Sequence, residues 1–311
     1  MRILVTGGLG FIGSHLVAAL ANAGHTLTII DDLSTGKREH APAGSTVIID
    51  DVARAGVFDD IIKNVDACYH LAAIASVERA NTEWQRTHEV NLGGFVNLLS
   101  AIAHNNKNIP VVYASSAAVY GDNTSLPLSE TSTTAPISAY GADKLACELQ
   151  ARAAHSVHGI PTIGLRFFNV YGERQDPASP YSGVISIFAK RALSSQPITI
   201  YGDGTQTRDF IYVGDVVQAI TKSMDALLAK RISQAVFNVC TGTPTSINTL
   251  AETLCNLSQP PSPVTRGTER IGDIKHSHGD NATIRNALGF VPSVSLADGL
   301  ARTLLWMKAT S

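Results

Sequence analysis

The chain has 311 residues, of which 44% are hydrophobic and 16% charged, a composition typical of a soluble globular protein with ample length for a buried core. Its 24 Lys and Arg residues nearly balance 26 Asp and Glu residues, so the net charge of −2 provides no global field for nucleic acid or an anionic membrane. The apolar stretches are too short for a membrane span, and neither a secretory signal nor paired cysteines are predicted, so we expect a cytoplasmic protein.

The first part of the chain alternates short apolar strands with helical stretches. Strands are predicted at Ile3–Thr6, Thr26–Ile30, Thr46–Ile49, Ala67–Leu71 and Val111–Ala114, and helices at Phe11–Ala23, around Asn81–His104 and around Ile137–His158. This alternation predicts an α/β fold with a doubly wound parallel sheet covered on both faces. After Thr162–Phe168, turn residues become frequent and the elements shorter. We therefore predict a nucleotide-binding domain in residues 1–165 and a smaller, mixed α/β, mainly substrate-binding domain in residues 166–311, across a boundary that the chain can cross again.

Three glycines, Gly7, Gly10 and Gly13, stand between the first strand and the first helix with the spacing G-x-x-G-x-x-G. Glycine lets the backbone turn sharply and approach a pyrophosphate, and the helix N-terminus offers free N–H groups and the positive end of its dipole. Because a strand precedes the motif and a helix follows it, the motif predicts a dinucleotide site rather than an ordinary turn.

Asp31 ends the second predicted strand, 18 residues beyond Gly13. A carboxylate at this point can accept both ribose hydroxyls of the adenosine and would repel a 2′-phosphate, which favours NAD over NADP. Lys37 and Arg38 leave NADP open, since cations nearby could serve a phosphate.

Tyr140 and Lys144 form a Y-x-x-x-K pattern in the second long helix, where residues four apart share a face. An ammonium beside a phenol favours the ionised phenol, so Tyr140 could act as a general base, although an isolated pair of this kind is more often a surface contact. Ser115 and Ser116 follow the Val111 strand, at the edge where open α/β sheets bind ligands. Ser116 could donate a hydrogen bond to an oxygen that becomes a carbonyl, or only cap the turn.

A series of motifs in this chain is similar to those of the extended short-chain dehydrogenase/reductases. They are Gly7-x-x-Gly10-x-x-Gly13, His70-Leu71-Ala72-Ala73, Asn91, Ser116…Tyr120-Gly121, Tyr140-x-x-x-Lys144 and Arg166-Phe167-Phe168-Asn169-Val170-Tyr171-Gly172. Two later segments resemble the sugar-nucleotide epimerases of the NAD-dependent epimerase/dehydratase family: Gly202-Asp203-Gly204-x-Gln206-x-Arg208-Asp209-Phe210 and Arg270-Ile271-Gly272-Asp273. The resemblance extends from Met1 to about Pro292 and implies a Rossmann-type fold, bound NAD and a UDP-sugar substrate.

The resemblance implies a cofactor site and a catalytic group. The residues expected around NAD are Gly7, Gly10, Phe11, Ile12, Gly13, Asp31, Asp51, Val52, Leu71, Ala72, Ala73, Asn91, Tyr140 and Lys144. Tyr140 would be the base, Ser116 the hydroxyl that steadies the 4-oxygen of the sugar, and Lys144 the cation that binds the nicotinamide ribose. His70 is expected to be an ordinary histidine at a strand end rather than a catalyst.

The resemblance also implies residues that contact the substrate. Phe167 and Asn169 would line the path of the sugar and its diphosphate, although Phe167 is as well explained as a core residue. Arg208 and Arg270 would clamp the diphosphate, a task suited to a guanidinium, or form ordinary surface ion pairs. No metal site is predicted, although four residues with ligand-type side chains lie in this stretch: Asp273, His276, His278 and Asp280.

The pair Ala117-Ala118 favours one reaction within the family. Dehydratases usually carry Asp-Glu here, and alanine cannot move the proton needed to expel the 6-hydroxyl as water. We therefore predict an isomerase that performs NAD-dependent 4-epimerisation of UDP-glucose and UDP-galactose through a transient 4-keto sugar. A UDP-uronate 4-epimerase or decarboxylase is the alternative within the family; Asn169 argues mildly against it, because uronate epimerases tend to have threonine there. A non-catalytic NAD-sensing or RNA-associated protein is the alternative outside the family, and the presence of Tyr140 and Lys144 argues against it.

Two further expectations rest on the resemblance. Ser277 lies seven residues after Arg270, where enzymes restricted to glucose and galactose are bulky and often carry tyrosine. A small side chain there leaves space for an acetamido group, which predicts activity on the N-acetylated pair, unless Ser277 only satisfies a local backbone group. We also expect a homodimer in which the helices around Asn91–His104 and Ile137–Ala154 form a four-helix bundle.

Overall fold

The computed structural model describes residues 1–105, 108–176, 183–258, 261–269 and 274–310. The strands are β1 (Arg2–Thr6), β2 (Thr26–Asp31), β3 (Thr46–Ile49), β4 (Ala67–His70), β5 (Val111–Ser116), β6 (Thr162–Phe167), β7 (Asn169–Tyr171), β8 (Ile198–Tyr201), β9 (Thr207–Arg208), β10 (Phe210–Tyr212), β11 (Gln234–Val239), β12 (Thr245–Ser246) and β13 (Val264–Gly267). The α-helices are α1 (Phe11–Asn22), α2 (Val77–Thr82), α3 (Trp84–His88), α4 (Gly94–His104), α5 (Ala139–His158), α6 (Val184–Leu193), α7 (Val213–Leu228), α8 (Ile247–Leu257), α9 (Ala282–Leu288) and α10 (Leu296–Thr310).

Seven strands form one parallel sheet in the order β3-β2-β1-β4-β5-β6-β11. Every residue of β4 and of β6 is buried, as expected for strands that are covered on both faces. The strand order reverses between β1 and β4, and ligands of open α/β sheets bind at such a switch point, beyond the carboxyl ends of the strands. The predicted Rossmann-type fold is confirmed.

The seventh strand of this sheet comes from the second half of the chain. Strand β11 pairs with β6 from Gln234 opposite Thr162 to Val239 opposite Phe167, and α7 packs against α1. The chain therefore returns to the nucleotide-binding sheet well after residue 166. The pairs β10–β7, β12–β9 and β13–β8 and the helices α6, α8 and α10 build the smaller part, around an apolar cluster of its own.

The helical stretch around Asn81–His104 is interrupted in the structure. Glu83 separates α2 from α3 with φ −112° and ψ 50°, and a π-helical turn spans Glu89–Gly93 before α4 begins. Such turns occur frequently near functional sites because they redirect individual side chains. Among the described residues, no helix is both long and apolar enough to cross a membrane.

Candidate active site

A cavity of about 780 Å³ opens at the carboxyl edge of the sheet. Most of the predicted site residues line it: Gly7, Gly10, Phe11, Ile12, Gly13, Asp31, Val52, Leu71, Ala72, Ala73, Ser116, Tyr140, Lys144, Phe167, Asn169, Arg208 and Ser277. Asp51 and Asn91 are not part of this lining, and Arg270 lies outside the described residues. The residues predicted to bind NAD and those predicted to bind the sugar therefore line one shared cavity.

The three glycines of the turn after β1 meet different constraints. Gly7 has φ 65°, and a Cβ atom there would lie 2.6 Å from the backbone nitrogen of Ala72. A Cβ on Gly13 would collide with the carbonyl oxygen of Gly7, so the chain itself requires glycine at both positions. A Cβ on Gly10 would instead lie 3.5 Å from the Gly7 oxygen, which is ordinary van der Waals contact. Gly10 therefore leaves open a space that the fold does not use, at the helix N-terminus where a pyrophosphate fits.

We expect Gly10→Ala to weaken NAD binding by roughly 5- to 150-fold without lowering the melting temperature of the apo-protein, because the added methyl group meets the ligand and not the chain. Calorimetric titration with NAD measures the affinity, and thermal unfolding of the NAD-free protein measures the stability. Gly93→Ala is the control, since Gly93 has helical angles and a Cβ there would have 3.8 Å of space. Equal NAD affinity in both variants would contradict this use of Gly10.

Asp31 joins the glycine turn to the loop after β2. Its carboxylate accepts hydrogen bonds from the backbone N–H groups of Leu9 and Leu33, both at 2.9 Å. Burial raises the pKa of Asp31, and these backbone N–H groups oppose the shift. A carboxylate in this wall, together with the space above Gly10, fits the ribose and the pyrophosphate of a dinucleotide.

Asp51 and Asn91 support the cavity wall from behind. The Asp51 carboxylate forms an ion pair with Arg86 and accepts the N–H of Ala53. The side-chain amide of Asn91 accepts the N–H of Ile74 at 2.7 Å and donates to its carbonyl oxygen at 3.1 Å. Ile74 itself lines the cavity. The π-helical turn that carries Asn91 thus holds the loop after β4.

Tyr140 and Lys144 lie in the first turns of α5, which begins after the N-cap Ser138, whose hydroxyl accepts the N–H of Gly141. Lys144 is 2% exposed, and its Nζ atom lies 5.8 Å from the centre of the Tyr140 ring. The ammonium donates a hydrogen bond to the carbonyl oxygen of Ala114 at 3.0 Å. That bond fixes the cation beside the phenol at the edge of the sheet.

Ser116 is the last residue of β5, which continues two residues beyond the predicted end. Its Oγ atom accepts the N–H of Ala118 at 3.1 Å, so the hydroxyl does cap the following turn. Accepting this bond leaves the hydroxyl hydrogen to be donated into the cavity that Ser116 lines. Capping and substrate contact are therefore compatible functions of one hydroxyl group.

His70 ends β4 close to this group but is buried in the protein. Its Nδ1 atom is hydrogen-bonded to Thr6 Oγ1 at 2.9 Å. Burial, with a smaller effect of the Lys144 cation, lowers the pKa of His70 to about 3. The imidazole is therefore neutral at physiological pH and cannot serve as a general acid there.

A buried ion pair lies behind the Tyr140 helix face. Glu148, two turns after Tyr140, accepts two hydrogen bonds from Arg166, at 2.9 and 2.7 Å, and both side chains are 7% exposed. Ser115 donates a further hydrogen bond to Glu148 at 2.5 Å. Burial alone would lower the pKa of Arg166, but the Glu148 carboxylate more than offsets this and raises it. This pair was not predicted from the sequence, because Glu148 and Arg166 lie on different elements and no local spacing joins them.

The substrate side of the cavity includes Phe167, which is buried but still forms part of the lining, and the exposed residue Asn169. Ser277 lies next to β9, because its N–H donates to the carbonyl oxygen of Thr207 at 3.1 Å. The same strand carries Arg208, so Ser277 and Arg208 are on neighbouring backbone segments. In the described part of the lining, Lys144 and Arg208 are the only Lys or Arg residues.

Several residues of the cavity lining were missed by the sequence analysis. They include Ser34, Thr35, Ile74, Ala75, Val77, Asn81, Ile137, Ser138, Gln175 and Ile274. Only Ser34 and Thr35 carry a local signal, since these short hydroxyl side chains follow Asp31 directly in a turn that binds a ribose in such folds. Ile74 and Ala75 follow the predicted Ala73, and Ser138 shortly precedes Tyr140, so they reach the cavity as chain neighbours of predicted residues.

The sequence and the fold of this chain are similar to those of a family of known proteins. Residues 3–240 match the model of the family described as the NAD dependent epimerase/dehydratase family. The crystal structure of a UDP-glucose 4-epimerase with UDP-glucose from Thermotoga maritima is 33% identical, with a TM-score of 0.94 over 100% of this chain and 99% of that chain. A UDP-N-acetylglucosamine 4-epimerase from Methanobrevibacter ruminantium, in complex with UDP-N-acetylmuramic acid, is 37% identical, with the same TM-score and coverage. A UDP-N-acetyl-alpha-D-glucosaminuronate decarboxylase of Bacillus cytotoxicus is 31% identical over 99% of this chain and 98% of that protein.

Proposed function

We propose that this chain, which belongs to the NAD dependent epimerase/dehydratase family, interconverts the C4 epimers of a UDP-hexose. The observation that carries the proposal is the convergence of Tyr140, Lys144 and Ser116 on one cavity beside a glycine turn that fits NAD. This set contains a base, a cation that supports it and a hydroxyl donor. Epimerisation at a carbinol carbon needs these three groups and a hydride acceptor.

Gly7, Gly10, Gly13 and Asp31 would hold NAD, which would supply the hydride acceptor and donor that the reaction needs at C4. Tyr140, as a phenolate, takes the proton of the 4-hydroxyl group while the C4–H bond breaks, and gives it back when the bond forms again. Ser116 donates a hydrogen bond to the same oxygen, where charge develops. Lys144 holds its ammonium group beside the phenol through its hydrogen bond to the carbonyl oxygen of Ala114.

The charges of the cavity support a neutral sugar over a uronate. A carboxylate at C6 would lose its hydration in the cavity and need a cation close by. In the described lining, Lys144 donates to a carbonyl beside Tyr140, and Arg208 suits the diphosphate. Neither Ala117 nor Ala118 can transfer a proton, which argues against dehydration.

The deciding experiment is an assay of the purified enzyme with UDP-glucose, UDP-galactose, their N-acetylated counterparts and UDP-glucuronate. We expect interconversion within the hexose pairs, without loss of water or CO₂ and without net consumption of NAD. Turnover of UDP-glucuronate alone would favour the uronate alternative. An absence of turnover on every sugar, with NAD bound, would favour a non-catalytic protein.

We further propose that the N-acetylated pair is accepted, because the cavity wall has only a hydroxymethyl group at Ser277. Ser277→Tyr should lower kcat/KM for the N-acetylated pair at least about tenfold relative to UDP-glucose and UDP-galactose, since a clash discriminates more strongly than a lost contact. Paired kinetics on both substrate pairs measure this ratio. Ser277→Ala is the control, because it removes the hydroxyl but keeps the space. A wild type inactive on the N-acetylated pair, or an unchanged ratio in the tyrosine variant, would show that Ser277 is no gate.

We also propose a homodimer formed by α4 and α5, which pack side by side and carry exposed apolar side chains on their outer faces. Val157 is the most exposed of these at 73%, followed by Leu149 at 50% and Val96 at 38%. Val157→Glu should raise the dimer dissociation constant at least about 30-fold, because two charges would lose water in the interface. Analytical ultracentrifugation checks this, with Leu305→Glu on α10 as the exposed control. A wild type that is monomeric at micromolar concentration would exclude the dimer.

A further inference from the structure

The backbone on either side of Ser277 is fastened to two neighbouring segments. On one side, Thr207 donates its N–H to the carbonyl oxygen of Lys275 and accepts the N–H of Ser277. On the other side, Leu128 donates its N–H to the carbonyl oxygen of His278 at 3.0 Å and accepts the N–H of Asp280 at 2.8 Å. The position of Ser277 in the cavity wall therefore depends both on β9 and on the loop of residues 121–138 that contains Leu128, the Leu128 loop.

The Leu128 loop is held by Asn238, a fully buried residue of β11. The Asn238 side chain donates to the carbonyl oxygens of Leu128 at 2.9 Å and Asp280 at 3.3 Å. The backbone N–H of Asn238 donates to Glu130 at 2.8 Å, and the other carboxylate oxygen of Glu130 accepts the hydroxyl of Thr283 on α9. One side chain thus joins the central sheet to the Leu128 loop and to Asp280, three residues after Ser277.

Tyr120 connects Asn238 to the buried ion pair that Arg166 forms with Glu148 of α5. Its hydroxyl donates to Asn238 Oδ1 at 2.6 Å and accepts from Arg166 at 2.8 Å. Arg166 is held in turn by Glu148 on α5. Burial raises the pKa of Tyr120 to about 12, so its hydroxyl stays protonated and keeps donating to Asn238. A continuous buried path of hydrogen bonds therefore runs from α5 to the wall that contains Ser277.

We propose that Tyr120, Asn238 and Glu130 are positioning residues. They fix the position of the cavity wall that contains Ser277 relative to α5, the helix that carries Tyr140. None of the three lines the cavity, so they act through the backbone of Ser277 rather than on the substrate. Buried hydrogen bonds in series suit this purpose, because each member that loses its partner costs the full desolvation of a polar group. The inference rests on the proposed function, since it assigns the path to the sugar site of that reaction.

Tyr120→Phe tests the path, because it deletes one hydroxyl and two of its bonds while keeping the ring that stacks on Arg166. Tyr171→Phe is the matched control: its buried hydroxyl faces the Leu296 carbonyl oxygen on α10, away from the path. We expect KM for the UDP-hexose to rise about tenfold in Tyr120→Phe, equivalent to about 1.4 kcal/mol, with kcat changed less than about threefold. The control should keep the KM of the wild type.

Hydrogen exchange of the NAD-loaded protein without substrate provides a readout independent of turnover. The amides of residues 276–280 should exchange about tenfold faster in Tyr120→Phe than in the wild type, because the Leu128 loop opens more often in that variant. In Tyr171→Phe, their exchange rates should equal those of the wild type. A lower melting temperature with unchanged KM and unchanged exchange in this segment would overturn the inference. If the wild type turns over no UDP-sugar, the proposed function fails. Faster exchange confined to residues 276–280 would then still support the path, and unchanged exchange would reject it.

Discussion

Tyr140→Phe should lower kcat by about 10²–10⁴-fold while leaving NAD binding nearly unchanged. The substitution removes the only group of the proposed set that can take the proton of the 4-hydroxyl, but keeps an aromatic ring of almost the same size. Lys144 remains in place through its bond to the Ala114 carbonyl, so the cation still supports the cofactor side of the cavity. Single-turnover kinetics, with the NAD content of the purified protein determined in parallel, measure both quantities.

The control for this variant removes a phenol hydroxyl elsewhere in the fold. Tyr171→Phe deletes a buried hydroxyl outside the cavity and should retain turnover within about threefold. If Tyr140→Phe retained most of its kcat, another residue would have to be the base. His70 would be a poor substitute, because burial lowers its pKa to about 3, so that it binds a proton weakly, and because it does not line the cavity.

The sequence predicted those features of the site that depend on local chemistry. The glycines after β1, the carboxylate at the end of β2 and the Tyr140–Lys144 spacing each reflect a constraint within a few residues of the chain. Because parallel strands bring their carboxyl ends to one edge, such local signals also predict which segments meet. The sheet follows from this reasoning and the family from the resemblance of the motifs, and both predictions are confirmed.

The parts that were not predicted depend on long-range pairing. Strand β11 joins the sheet beside β6, although Gln234 and Thr162 lie 72 positions apart in the chain and no local pattern joins them. Asn91 was expected near the cofactor, and that stays a prediction; the hydrogen bonds by which its amide holds the backbone of Ile74 are contacts that a one-dimensional pattern does not encode. Glu148 and Arg166 each look like a surface charge in sequence, and only their common burial reveals the pair. Sequence reasoning therefore identified the groups that face the ligand better than the groups that hold them.

Glu148→Gln should produce a large loss of stability. Glutamine keeps the volume but removes the counter-charge of Arg166, whose guanidinium stays charged and buried. We expect a loss of about 3–5 kcal/mol, which at an unfolding entropy of about 2.1 cal/mol/K per residue lowers the melting temperature of 311 residues by about 5–8 °C. The control is Asp66→Asn in the pair with Arg2, whose side chains are 38% and 55% exposed. Water screens that pair, so its loss should cost less than about 2 °C in the same calorimetric scan. Equal decreases in melting temperature in the two variants would mean that the buried pair contributes no more to stability than the exposed one. Apolar packing alone would then order the residues around Glu148 and Arg166.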